Sequence, residues 1–131
     1  MSWKVRSIRG ATTCSENTEA DMREAVTELL QEIEAHNALD LSEVVHATFS
    51  VTKDLDKIFP AAIAREREGW DQVPLLDVQH MHVETGLKKC IRCLIQFNMD
   101  TETPEQTIHH VYLRQARALR PDLSLPIQAA I

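Results

Sequence analysis

Residues 89–99 read KCIRCLIQFNM, and they form the strongest β-strand pattern in the chain. Apolar residues stand at every second position, as in a strand with one buried face. These positions are Ile91, Cys93, Ile95, Phe97 and Met99. Arg92 belongs to the opposite face, which it shares with Cys90, Leu94, Gln96 and Asn98. We therefore predict a strand whose buried stripe holds Arg92 rigidly on its other side.

Two segments upstream of it are also predicted strands. Residues 3–13 are rich in β-forming residues, and Arg9 falls on the same face as Trp3 and Val5. Residues 44–52 alternate between apolar and polar side chains. The apolar positions of that segment are Val45, Ala47, Phe49 and Val51.

Between these two strands the sequence predicts one long helix. Apolar residues recur at helical spacing from Met22 to Ile33. Thr18 and Asp21 resemble a capping box at its start, and Asn37 is a suitable end. Shorter helical turns are predicted after a cap at Asp54, from Pro60 to Arg65, and near Pro104 and Glu105.

Two shorter strands are predicted at residues 73–78 and 108–113, and the prolines in residues 120–126 indicate an irregular tail. At 131 residues the chain has the length of one domain. The order of elements predicts a single α+β domain over residues 1–131, in which one long helix and short helices pack on one mixed β-sheet.

The composition is typical of a globular domain, with 44% apolar and 26% charged residues. No apolar run has the length of a membrane span, and the first residues lack the apolar segment of a signal peptide, so we expect a cytoplasmic protein. The net charge of −6 repels nucleic acid and anionic lipid, so neither is an expected partner. A small anion can still bind where a pocket gathers arginines. Those in conspicuous positions are Arg9, Arg65, Arg92 and Arg120.

Other chemistries have weaker support. Cys90 and Cys93 spell a CxxC motif, but residues three apart on a strand face opposite sides and cannot share a metal. His80 and His82 share a face with carboxylates nearby, yet a fixed third zinc ligand is missing. The three glycines, which are Gly10, Gly69 and Gly86, are too widely spaced for a nucleotide-binding loop. Gly10 can instead bend a strand or let a ligand approach. We predict no metal and no cofactor.

Six blocks carry a family resemblance, namely residues 8–13, 54–65, 69–74, 86–92, 110–113 and 119–125. In order and separation they resemble the barrel-type chorismate mutases, which are distinct from the all-helical class. The resemblance covers nearly the whole chain. It implies a homotrimer whose sheets form a pseudo-α/β barrel, with active sites in clefts between subunits. It also implies isomerisation of chorismate to prephenate, a step of aromatic amino-acid biosynthesis that needs no cofactor.

The resemblance further assigns roles to residues. It implies that Arg92 stabilises charge on the ether oxygen of chorismate, while Arg9 and Tyr112 bind and orient the substrate. The remaining residues matched to the substrate pocket are Arg65, Phe59, Ala61, Asp77, His80, Leu119 and Arg120. Of these, Arg65 and Arg120 would lie at the edge of the pocket, where they would steer the chorismate dianion or close over it.

Three positions depart from the family pattern. His80 stands where the family usually has a glutamate that accepts a hydrogen bond from the substrate hydroxyl. Asp77 replaces a small thiol or hydroxyl residue, and Ala62 replaces a lysine. Our hypothesis is that Asp77 and His80 together replace the glutamate, with Asp77 fixing the tautomer of the ring or accepting the bond itself. A non-catalytic trimeric module that binds a chorismate-like dicarboxylate is the alternative, and an imine deaminase of similar trimeric fold is a weaker one.

Overall fold

The computed structural model describes residues 2–102 and 107–124. Within them the elements are β1 (Trp3–Thr13), α1 (Glu19–His36), β2 (Val44–Val51), α2 (Pro60–Arg65), β3 (Leu75–Gln79), β4 (Cys90–Asp100) and β5 (Val111–Tyr112). Two 3-10 helices cover Leu41–Glu43 and Arg114–Ala118. The predicted turn at Pro104 and Glu105, and the tail beyond residue 124, lie outside the described residues.

The five strands form one mixed sheet in the order β3-β2-β4-β1-β5. β4 lies at its centre and pairs antiparallel with both β1 and β2. The outer strands β3 and β5 pair parallel with β2 and β1. This confirms the predicted mixed sheet and α+β class. The segment predicted as the strongest strand is thus also the central strand of the sheet.

One face of the sheet is covered by α1. The helix begins after Thr18, whose Oγ1 accepts the backbone N–H of Asp21 at 3.1 Å. Its buried residues are Met22, Ala25, Val26, Leu29, Leu30 and Ile33, which join the core with Ile8, Phe49, Ile91 and Ile95. A Cβ on Gly10 would stand 2.9 Å from Cδ1 of Ile33. The absence of a side chain there lets the helix approach the sheet closely.

The opposite face of the sheet, called the open face below, carries exposed apolar side chains. They are Trp3, Val5, Leu76, Val78 and Leu94. A small cluster of Ala11, Tyr112 and Ala116 closes one corner of this face, with Leu87, Leu119 and Leu123 packed against it. Among the described helices, none is long and apolar enough to span a membrane.

The structure corrects three local predictions. A bulge between Val44 and His46 shifts the register of β2, so Val44 is buried and Val45 is exposed, the reverse of the predicted alternation. The last strand contains only Val111–Tyr112, because the residues before it lie in an irregular segment. Asp54 does not begin a helix. It lies in a turn, where its carboxylate accepts the backbone N–H of Lys89 at 3.0 and 3.1 Å.

This use of Asp54 predicts a pH-dependent contribution to stability. Lys89 has a left-handed φ of 48°, which the two bonds to Asp54 help to hold. Burial raises the pKa of the Asp54 carboxyl, but hydrogen bonds from the Thr52 hydroxyl and the Lys89 N–H outweigh it and hold the pKa below its ordinary value. A depressed folded pKa gives stability that is complete above the unfolded pKa and is lost as pH falls through the folded one.

We therefore expect Asp54→Asn to reduce the free energy of unfolding by about 1–2 kcal/mol at pH 7. The difference from the unmodified protein should shrink as the pH falls below about 4. Urea denaturation across this pH range measures it. The exposed Asp71 offers a control, because Asp71→Asn should change stability by less than about 0.5 kcal/mol. A difference that stayed constant with pH would contradict the role of the Asp54 charge.

Candidate active site

Arg92 stands in a row of residues that crosses the sheet. The register places it between Ser50 of β2 and Ala11 of β1, and Ala11 lies beside Tyr112 of β5. Because neighbouring strands are about 4.8 Å apart, the backbones at Arg92 and Tyr112 are about 10 Å apart. Arg9 is exposed two positions before Ala11, on the same face. Sheet pairing therefore brings the three predicted catalytic residues to the open face.

Two cavities on this face adjoin at Arg92. One has a volume of about 340 Å³, and its walls include Arg9, Arg92 and Tyr112. The other has a volume of about 280 Å³, and its walls include His80, Arg92 and Leu119. Arg92 therefore stands where the two cavities meet.

His80 follows the end of β3 and has a partner that the sequence did not indicate. Its Nδ1 lies 3.0 Å from Oγ of Ser50, and its backbone N–H donates to the carbonyl of Val51 at 3.1 Å. Burial lowers the pKa of the imidazole, and the Arg92 guanidinium lowers it further. These effects outweigh the smaller opposing effect of Asp54. The ring is therefore neutral at neutral pH.

A second group of predicted residues surrounds the start of α2. Phe59, which is exposed, and the half-buried Asp77 line a cavity of about 540 Å³, and the N–H of Ala61 donates to Oδ1 of Asp77 at 2.9 Å. Burial raises the pKa of the Asp77 carboxyl, although the Ala61 N–H and the Arg65 guanidinium both oppose that shift. Arg65 itself is exposed at the end of α2.

The predicted residues thus fall into two groups within one chain. The first group, on the open face, contains Arg9, His80, Arg92, Tyr112 and Leu119, whereas the second contains Phe59, Ala61, Arg65 and Asp77. The cavities of the two groups share no lining residue. Arg120 lines none of these three cavities. Its guanidinium donates to the carboxylate of Asp122 at 2.9 and 3.1 Å.

Within one chain, Asp77 and His80 have different hydrogen-bond partners. The Asp77 carboxylate accepts from Ala61, while the ring bonds Ser50. Ser50 is a residue beside the site that sequence reasoning missed. No local pattern marks it, because its proximity to Arg92 arises only from the pairing of β2 with β4.

The cysteines are core residues in this structure. The side chain of Cys93 points from β4 into the core, and burial raises the pKa of its thiol to about 12. Cys90 lies on the other side of β4 with its pKa also raised by burial, so neither thiol is ionised at neutral pH. Within residues 2–102 and 107–124, no three His, Cys, Asp or Glu side chains gather to hold a metal ion.

Comparison with known proteins assigns the family. Residues 5–123 match the family model of chorismate mutase type I. The chain is 43% identical over 121 residues to chorismate mutase AroH of Bacillus subtilis (strain 168), covering 92% of this chain and 94% of that protein. It is 42% identical over 120 residues to chorismate mutase AroH of Thermus thermophilus, covering 91% and 96%.

A solved structure agrees with the sequence relatives. The fold matches a chorismate mutase from Clostridium thermocellum with a TM-score of 0.77 and 37% sequence identity, over 86% of this chain and 98% of that one. A family model that spans most of the chain, relatives of similar length and a shared fold lead to one conclusion. This chain belongs to the chorismate mutase type I family.

Proposed function

We propose that this chain is an isomerase that converts chorismate to prephenate in aromatic amino-acid biosynthesis, and that it does so without a cofactor. The observation that carries the proposal is the position of Arg92. Arg92 stands on the central strand and lines two adjoining cavities, one of them together with Arg9 and Tyr112. Membership of the chorismate mutase type I family identifies the substrate as chorismate.

The chemistry suits such a site. In chorismate the ether C–O bond breaks as a C–C bond forms, within one molecule and without proton transfer. The protein needs only to hold the compact conformer and to stabilise negative charge on the ether oxygen. We assign that charge stabilisation to Arg92, carboxylate binding to Arg9, and orientation of the substrate to Tyr112. Arg65 and Arg120 would attract the dianion from the edge of the pocket.

The test is direct. Purified protein incubated with chorismate should remove the diene absorbance of the substrate, and prephenate should appear in equal amount. One other function is favoured by the presence of His80 where the family usually has a glutamate. In that case the chain would be a binding module that does not catalyse the reaction. That module would bind chorismate by calorimetry and leave the absorbance unchanged.

We further propose a homotrimer with each active site shared between two subunits, and a cytoplasmic location. Two features support the shared site. The open face exposes apolar side chains that an isolated chain would leave in water, among them Val5, Leu76 and Leu94. The two groups of pocket residues occupy separate cavities, so a neighbouring subunit can bring the second group to the first. Light scattering should give the mass of three chains.

Subunit mixing provides a sharper prediction for the shared site. Arg92→Ala removes the first group's cation, and Phe59→Asp places a carboxylate in the second group's wall, where it repels the dianion. Each variant alone should be inactive. When the two are unfolded, mixed equally and refolded, each mixed trimer regains one intact site, so about a quarter of the original activity should return. Mixing without recovery would contradict a site shared between subunits.

A further inference from the structure

Ser50 contacts the ring of His80 directly. Its Oγ lies 3.0 Å from Nδ1, and it stands beside Arg92 in the sheet register. The backbone of His80 is also fixed, since its N–H donates to Val51. The imidazole is therefore held through both its main chain and its ring, in the cavity that Arg92 also lines.

We propose that Ser50 is a positioning residue that selects the tautomer of His80 with the proton on Nδ1. In this arrangement Nδ1–H donates to Oγ of Ser50, and Nε2 keeps a free lone pair. Nε2 then accepts the hydrogen bond of the substrate hydroxyl. The inference rests on the proposed function, and it explains how this chain supplies an acceptor where the family pattern has a glutamate.

The choice of tautomer has a physical reason. A neutral histidine side chain in water prefers its proton on Nε2, which would make that nitrogen a donor and leave the substrate hydroxyl without an acceptor. The hydrogen bond made by one ring nitrogen determines which tautomer is present. A hydroxyl oxygen held at Nδ1 can accept Nδ1–H, and this reverses the preference of the free ring.

Charge around the ring favours the neutral form that this role requires. Burial and the cation of Arg92 both lower the pKa of His80, against a smaller effect of Asp54. The charged and titratable groups that line the same cavity are Arg92 and Cys90 from β4, Lys53 and Asp54 from the turn after β2, and His82, Glu84 and Lys88 from the segment before β4. Protonation turns both ring nitrogens into donors, so the acceptor is lost only below the ordinary pKa of histidine, about 6.5.

The first test reads the tautomer by nitrogen-15 NMR of the full-length protein at pH 8, with the His80 signals assigned by their absence in His80→Gln. We expect Nδ1 protonated and Nε2 unprotonated in the unmodified protein and in Ser50→Thr. Ser50→Ala should move the proton to Nε2. Ser7→Ala is the matched control, since Ser7 also faces the open side from β1 and should leave the His80 signals unchanged.

The second test measures kcat/KM for chorismate against pH. Ser50→Ala should lower kcat/KM about tenfold, as expected for loss of one hydrogen bond of moderate strength, and Ser50→Thr should retain most of it. In the unmodified protein kcat/KM should fall at acid pH as His80 becomes protonated. This acid limb should disappear in His80→Gln, whose amide oxygen accepts a hydrogen bond without titrating. Asp77→Asn is the control for a second titrating carboxyl, and it should keep the acid limb because the limb reports the protonation of His80.

The outcomes separate the two proposals. Lack of turnover in the unmodified protein would overturn the proposed function and the role of Nε2 toward the substrate. A proton on Nε2 in the unmodified protein would overturn the positioning role of Ser50, whatever the activity. A folded Ser50→Ala protein with unchanged tautomer and unchanged kcat/KM would overturn it as well.

Discussion

Replacing Arg92 with alanine is expected to lower kcat by about 100- to 1,000-fold, as for removal of one preorganised donor from an enclosed site. The decrease in kcat can be measured with the purified variant by following the diene absorbance of chorismate. The fold should survive, because the Arg92 side chain is exposed on the open face while the buried stripe of β4 is untouched. Circular dichroism and the mass in solution should therefore match the unmodified protein.

Two further variants make the result specific. Arg92→Lys should recover only part of the rate, because an ammonium supplies a charge without the planar pair of donors. Arg23→Ala makes the same change on the outer surface of α1, where Arg23 pairs with Glu19 and Glu66, and it should leave kcat within about twofold. Near-normal turnover in a folded Arg92→Ala protein would remove Arg92 from the mechanism.

The largest loss of stability is expected for Trp70→Ala. Trp70 is fully buried beside α2, and its indole N–H donates to Oε1 of Glu34 at 3.2 Å. The other carboxylate oxygen of Glu34 is bonded by Arg67, so a single glutamate of α1 links both side chains to the helix. Truncation removes a large buried ring and leaves a cavity, which typically lowers the free energy of unfolding by about 3–5 kcal/mol.

Trp70→Phe separates packing from hydrogen bonding. It keeps most of the ring volume and removes the indole donor, so we expect a smaller loss of about 1–2 kcal/mol. Denaturation should be followed at one fixed protein concentration, because subunit assembly would add to the apparent stability. Equal losses in the two variants would show that the Glu34 contact, and not the packed volume, accounts for the contribution of Trp70.

The strand faces were predictable wherever the backbone is regular. The alternation in β4 correctly buries Ile91 and Ile95 and exposes Arg92, since successive strand residues point to opposite sides. The same reasoning failed for Val45, because a bulge in β2 changes the register and the local sequence does not predict that bulge. The cap at Thr18 was predictable because a cap depends on residues only three apart.

The candidate site was only partly predictable. The blocks that resemble the family identified the arginines, but they could not show how one chain divides the pocket residues between separate cavities. Asp77 and His80 are three positions apart, a spacing that places strand residues on opposite sides. Their distinct partners, Ala61 and Ser50, follow that geometry.

By itself the sequence determined the features that depend on near neighbours: the apolar stripe of β4, the start of α1 and the family to which the chain belongs. Only the tertiary structure decided that Ser50, Arg92, Ala11 and Tyr112 form one row across four strands. The reason is physical. Periodicity fixes which way a side chain points within its own strand, but which strands lie side by side, and in which register, depends on burying the whole apolar face at once.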